Sequence, residues 1–306
     1  MSDFERYQAQ VSLLIRTLPH VASEGCFAIK GGTAINLFLR DLPRLSVDID
    51  LTYLPIQPRD ESLHEISEAL SRIVKAITKA MPESRVFPVP LPKTPFTMRL
   101  VVHTAEAQIK IEPNLIIRGA AFPASEKELA PAAQELFQAF VIARICGLPD
   151  IYGGKICAAL DRQHPRDLFD VKLLLENEGI TPEIRKSFIV HLVSHNRPMA
   201  EVLAPRSNDI RLSFDNEFAG MTRIPIELDE LISVRDILAA TILALLTDDE
   251  RSFIISVKQG EPKWDLLGLQ HVENMPAIRW KLQNIQRMDR KKHAAALGKL
   301  LAVLER

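Results

Sequence analysis

The segment Val47-Asp48-Ile49-Asp50-Leu51 alternates apolar and acidic residues, a pattern that a helix would scatter around its circumference. In a strand, side chains at i and i+2 share a face. Val47, Ile49 and Leu51 therefore point one way, and Ser46, Asp48 and Asp50 the other. Two carboxylates held side by side repel each other and lose hydration on burial. A divalent cation is the usual compensation, and Mg2+ takes one or two carboxylates together with substrate phosphates. Asp48 and Asp50 are thus candidate metal ligands. An isolated Asp-x-Asp is usually solvated surface; the apolar neighbours and a glycine turn upstream set this one apart.

That turn is Lys30-Gly31-Gly32-Thr33. It separates the apolar run Cys26–Ile29, read as a strand, from Ala34–Leu39, read as a helix with Thr33 near its N-cap. Glycines there permit a positive φ and close backbone approach, and the start of a helix offers N–H groups to an anion. Lys30, Gly31, Gly32 and Thr33 are candidate nucleotide-binding residues. The spacing meets neither the Walker nor the dinucleotide pattern, and a plain structural turn is the alternative. Ser46 lies on the carboxylate face of the strand, so its hydroxyl is placed to contact a triphosphate or accept a phosphoryl or nucleotidyl group. A hydrogen bond at the strand entry is its simpler role. Glu112, on a neighbouring candidate strand, is a possible third metal ligand or ordinary surface.

A third constellation runs from Gly153-Gly154-Lys155 through Asp161-Arg162 to His164-Pro165-Arg166-Asp167 and Asp170. Lys155 and Arg162 share a helix face, and Pro165 suits the first turn of a second helix. Surface helices joined by salt bridges, including Arg166 to Asp170, are the bland reading. Lys155, however, sits among Gly154, Ile156, Ala158 and Ala159, an odd setting for a solvated lysine. It suits a point charge on a triphosphate, with Arg162 beside it and Asp167 positioning or deprotonating a hydroxyl. The histidines show no metal spacing, and only His164 lies beside this motif. Trp264 and Trp280 read as core.

Around these motifs, residues 4–18 and 60–80 read as helices. Pro88, Pro90, Pro92 and Pro95 mark a connection, Thr97–Thr104 and Ala107–Pro113 a hairpin, and Phe140–Cys146 a last strand. Beyond Leu148 the signals are helical, at 182–195, 228–246 and 273–304, with a turn at 260–268. The expected fold is α/β (α+β), in two domains, 1–147 and 148–306. Three dispersed cysteines, Cys26, Cys146 and Cys157, read as reduced thiols. The start lacks the features of a signal peptide, and no apolar run approaches a membrane span. A cytoplasmic location is expected. The net charge of −1 excludes a generally basic scaffold. It leaves room for a local groove, for which Arg279, Lys281, Arg287, Arg290, Lys291 and Lys292 are candidates.

Lys-Gly-Gly-Thr-Ala at 30–34, Arg-Leu-Ser-Val-Asp-Ile-Asp-Leu at 44–51, and the third constellation at 154–170 resemble, in that order, the AbiEii/AbiGii-type nucleotidyltransferase toxins. These are the toxin half of type IV toxin–antitoxin systems, and the MenT toxins are related. The general nucleotidyltransferase pattern has Gly-Ser where this chain has Gly32-Thr33, which keeps the hydroxyl. The resemblance implies a polymerase-β-like core with a mixed sheet at 1–147 and a mainly helical unit at 148–306 that completes the cleft. It implies Mg2+ (or Mn2+) on Asp48 and Asp50, the glycine turn facing an NTP, and catalytic roles for Lys155 and Asp167. It also implies transfer of a nucleotide to an acceptor, foremost the tRNA 3′ end, and a cognate antitoxin encoded nearby. The alternatives are a non-catalytic nucleotide- or partner-binding module of the same fold, and a transferase acting on a small molecule or a protein hydroxyl.

Overall fold

The structure, a computed structural model, describes residues 3–305; Met1 and Ser2, at the head of the segment read as no leader, lie outside them. The chain divides into two units. One runs as far as Gly147 and takes back Phe218–Pro225; the other comprises Leu148–Glu217 and the chain from Ile226 onward.

The first unit is built on a seven-stranded mixed sheet. Helix α1 (Asp3–Ala22) leads to β1 (Phe27–Lys30), then α2 (Gly31–Ala34), which passes into a π-helical turn at Ile35–Leu39. After β2 (Asp48–Tyr53) come α3 (Arg59–Ala80), β3 (Arg85–Pro90), β4 (Thr97–His103) and β5 (Gln108–Asn114). β6 (Ser125–Glu128), α4 (Pro131–Phe137) and β7 (Ile142–Ile145) complete it. The strand order is β3-β4-β5-β2-β1-β7-β6, which puts β2 at the centre. Ile49, Leu51 and Tyr53 are fully buried, in a core with α1 and α3, while Asp48 and Asp50 keep part of their surface. Alternation thus sends the apolar side chains of β2 to the core and its carboxylates to the opposite face.

Two stretches differ from the sequence expectation. Residues 85–90 form an edge strand paired with β4, where a proline connection was expected. Prolines 88 and 90 lack the N–H of an interior strand, and an edge tolerates that. The other edge, β6, reads Ser-Glu-Lys-Glu and is exposed throughout, so no hydrophobic alternation marks it. Phe218–Pro225 joins this unit through Leu45 N–H to the Met221 carbonyl at 2.8 Å and Arg223 N–H to the Pro43 carbonyl at 2.9 Å. An Arg44–Thr222 bridge lies between them. The loop leading into β2 is pinned there.

The second unit is helical: α5 (Leu148–Arg162), α6 (Pro165–Glu176), α7 (Pro182–Ser194), α8 (Met199–Leu203), α9 (Arg211–Glu217), α10 (Leu228–Leu245), α11 (Asp248–Gln259), α12 (Pro276–Gln286) and α13 (Arg290–Leu304). α5 packs closely on α7. A Cβ on Gly153 would come within 2.6 Å of the Phe188 backbone nitrogen, so helix packing requires that glycine. α11 was not foreseen; it begins with a reciprocal capping box between Thr247 and Glu250. The single helix expected over 273–304 is two, because Asp289 caps a fresh start, accepting from the N–H groups of Lys291 at 3.0 Å and Lys292 at 3.2 Å. None of the three cysteines is disulfide-bonded.

Truncating Ile49 tests the central position of β2. Ile49→Ala is expected to cost roughly 2–5 kcal/mol, read as a lower urea midpoint; an unchanged midpoint contradicts the packing described.

Candidate active site

The carboxylates of β2 stand against the glycine turn. Gly31 has φ +66° and follows an extended Lys30. A Cβ there would lie 2.6 Å from Asp50 Oδ2, so both the backbone twist and the bare Cα are required. A Cβ on Gly32 would meet Arg44 Nη2 at 2.7 Å and Ser46 Oγ at 2.9 Å. Arg44 is only 2% exposed, so a buried guanidinium lies under the turn. Nothing in the sequence marked Arg44 beyond its place in the motif.

Thr33 lies inside the first turn of α2, not at its cap; Lys30 occupies the N-cap and makes no side-chain cap bond. The Thr33 hydroxyl donates to the Asp48 carbonyl at 2.5 Å and meets Ser46 Oγ at 3.0 Å. It therefore ties the turn to the start of β2. Ser46 is almost fully buried, engaged in the strand-entry hydrogen bond that was its simpler reading.

Register assembles the rest of the face. Asp50 stands opposite Lys30 on antiparallel β1 and opposite Glu112 on parallel β5. Cross-strand partners share a face, so Glu112 is Asp50's neighbour. Its Oε1 accepts from Arg99 Nη1 at 3.0 Å. Among the described residues no group of three His, Cys, Asp or Glu side chains could hold a metal ion. Asp48 and Asp50 lie two residues apart on β2, each with part of its surface exposed. Two partly exposed carboxylates are a donor type that could hold a hard cation taking its other ligands from water and phosphate.

The third constellation is a buried charge cluster. Lys155 Nζ lies 3.0 Å from Asp167 Oδ1 and 3.0 Å from Asp170 Oδ2. Arg162 Nε and Nη2 donate to the two oxygens of Asp167 at 2.5 and 3.0 Å. Asp170, expected to pair with Arg166, turns inward to Lys155 instead. Asp167 is completely buried, whereas the Arg162 side chain is 62% exposed. Burial by itself would raise the Asp167 pKa. The Lys155 ammonium, followed by the hydrogen bond and charge of Arg162, outweighs it and holds the carboxyl well below the usual carboxylate range. A general base needs the opposite: access to the proton and a pKa near the working pH. In this arrangement Asp167 anchors two cations, Lys155 and Arg162. His164 caps α6, its Nδ1 accepting from Arg166 N–H at 3.1 Å. That leaves the proton on Nε2, which faces Glu217 Oε2 at 3.1 Å. A polar cavity of about 520 Å3 elsewhere in the helical unit, lined by Asp161, Arg197, Arg206 and Lys299 among others, contains none of the expected site residues.

The profile of the family described as nucleotidyl transferase AbiEii toxin, type IV toxin–antitoxin system, matches residues 12–284. The chain belongs to this family. It is a nucleotidyltransferase, as the resemblance implied. Among solved structures it is similar to MenT4, a nucleotidyltransferase toxin from Mycobacterium tuberculosis H37Rv, with 16% identity, a TM-score of 0.57, and coverage of 96% of this chain and 93% of that one. At that identity the likeness speaks for the fold. No curated sequence matches the chain.

Two substitutions test the two clusters. Gly31→Ala places an L-residue in the left-handed region, costing about 1–2 kcal/mol, and displaces Asp50. Nucleotidyl transfer should fall on the order of 100-fold with a modest drop in melting temperature; full activity would contradict the geometry. Because the folded pKa of Asp167 is depressed, its contribution to stability is complete above the unfolded value near ~4 and is lost as pH falls below that. Asp167→Asn should therefore cost roughly 3–5 kcal/mol at neutral pH, and the gap from wild type should narrow in acid. Urea midpoints across that pH range decide it, and a gap independent of pH refutes it.

Proposed function

We propose that the protein transfers a nucleotide from an NTP to an RNA hydroxyl, with the tRNA 3′ end as the acceptor, and so blocks translation. The observation that carries this reading is the Asp48–Asp50 pair set on one strand face against Gly31, in a chain of a nucleotidyltransferase family. Asp48 and Asp50 would hold Mg2+, with Mn2+ as the substitute. When bound, such a cation neutralises phosphate charge and brings acceptor and phosphate together.

The backbone of Gly31, Gly32 and Thr33 is assigned to the triphosphate, with Lys30 alongside and Ser46 steadying Thr33. In the helical unit, Arg162 is the cation of the buried cluster whose head reaches solvent, and it is the candidate phosphate contact of that unit. Lys155 and Asp167 become positioning residues that hold Arg162 in place. In the reaction a bond forms between the acceptor oxygen and the α-phosphorus, and the α–β phosphoanhydride bond breaks. Pyrophosphate leaves, and the hydroxyl proton passes to solvent. Glu112, occupied by Arg99, is assigned no ligand role. NTP and tRNA as substrates imply a cytoplasmic site of action; no described helix is long and apolar enough to cross a membrane. A type IV system further implies a cognate antitoxin encoded nearby.

Incubation with each radiolabelled NTP, Mg2+ and total tRNA provides the test. The wild type should label tRNA and Asp48→Ala should lose at least about 100-fold of that activity. Equal labelling by both proteins would sink the proposal, and labelling of a small molecule or of protein in place of tRNA would move the acceptor.

A further inference from the structure

Trp280, expected in the core, is 59% exposed on α12. Trp280, Gln283, Asn284 and Arg287 recur at helical spacing and all are exposed, so they form one stripe. Arg287 ends that stripe where α12 gives way to α13. There Arg290, Lys291 and Lys292 follow in succession, also exposed. Cations at a helix N-terminus oppose its dipole, so helix stability does not account for them. Asp289, the acid at this junction, is occupied as the α13 cap. Among the described residues none of these four cations has an ion-pair partner.

More positive charge lies behind the junction. Lys258 of α11 is buried, with Met288 Sδ as the nearest partner of its ammonium at 3.9 Å. Lys281 donates to the carbonyls of His195 at 2.5 Å and Arg197 at 3.0 Å. Burial first, and the Lys258 charge second, bring the pKa of Lys281 down to about 8. Three helices thus bring cations to one place, and the carboxylate there already serves as a cap.

We propose that the face formed by α12 and the start of α13 binds single-stranded RNA, with Trp280 stacking on a base and Arg287, Arg290, Lys291 and Lys292 holding the phosphates. The choice of RNA as acceptor rests on the reading above; the surface itself does not. A protein partner would call for an apolar patch depleted of charge at its centre, whereas here a lone aromatic stands among cations. Single-strand binding uses that combination of a basic track and an aromatic platform. Trp280 and Arg287 are two helical turns apart, about 10 Å, which spans about three nucleotides of a stacked strand at ~3.4 Å each.

Fluorescence anisotropy with a short labelled single-stranded RNA, and with total tRNA, tests the surface across about 50–200 mM salt. Trp280→Ala should weaken binding roughly 5- to 150-fold with the salt slope unchanged, and Trp280→Phe should recover most of it. The triple variant Arg290→Glu, Lys291→Glu, Lys292→Glu should weaken binding and lower the slope of log affinity against log salt by about 2. Wild-type affinity and slope in all variants would overturn the assignment and leave the face to an acidic protein, as would absence of RNA binding by the wild type. The labelling assay separates the two readings. RNA binding lost in the variants, with no RNA labelled by the wild type, keeps the surface and removes the acceptor. Unaltered RNA binding, with RNA labelled by the wild type, does the reverse.

Discussion

The approach of the Asp50 carboxylate to the bare Cα of Gly31 is the contact on which the first unit's candidate site depends. At 2.6 Å from where a Cβ would stand, Oδ2 occupies space that any other residue would fill. The positive φ of Gly31 lets the chain leave β1 and enter α2 at once. Thr33 then reaches back to the Asp48 carbonyl, so turn and carboxylate strand are locked as one piece. Arg44 fills the space under Gly32. A turn that held phosphate alone would need only one or two of these features. Their convergence explains why the glycines and the aspartates occur together.

The second unit spends its charge differently. Lys155, Asp167 and Asp170 are nearly inaccessible, and taking such groups out of water is costly unless each is met by an opposite charge. Here each is. Loss of any member would leave a buried charge uncompensated, which makes the cluster a rigid support for its exposed member, Arg162. The apolar company of Lys155 in the sequence goes with this burial. Gly153, two residues before it, is there for the close contact of α5 with α7.

Much of the fold was legible where side-chain period and local chemistry agree. β2 announced itself by alternation, α3 and α10 by helical spacing, and α6 by a proline at its first turn. β6 was not legible, because an exposed edge strand needs no apolar face. β3 was masked by its prolines, which only an edge position tolerates. The split of the last helical stretch turned on one capping aspartate, Asp289. For the site, the strand face of Asp48 and Asp50 and the strand–turn–helix setting of the glycines could be read directly. The burial of Asp167, the role of Arg44 and the exposure of Trp280 could not, since each depends on what packs against the residue from distant parts of the chain.

By itself, then, the sequence determined which side chains share a face, where the backbone needs glycine, and to which family the ordered motifs belong, because these follow from neighbours along the chain. Tertiary structure alone decided which carboxylates stay accessible. Asp50 and Asp167 are the same residue type in equally suggestive motifs. One keeps part of its surface on a strand face beside Gly31, and the other is enclosed with Lys155 and Arg162. Solvation and the nearest opposite charge set what a carboxylate can do, and both are fixed by packing between segments far apart in the chain.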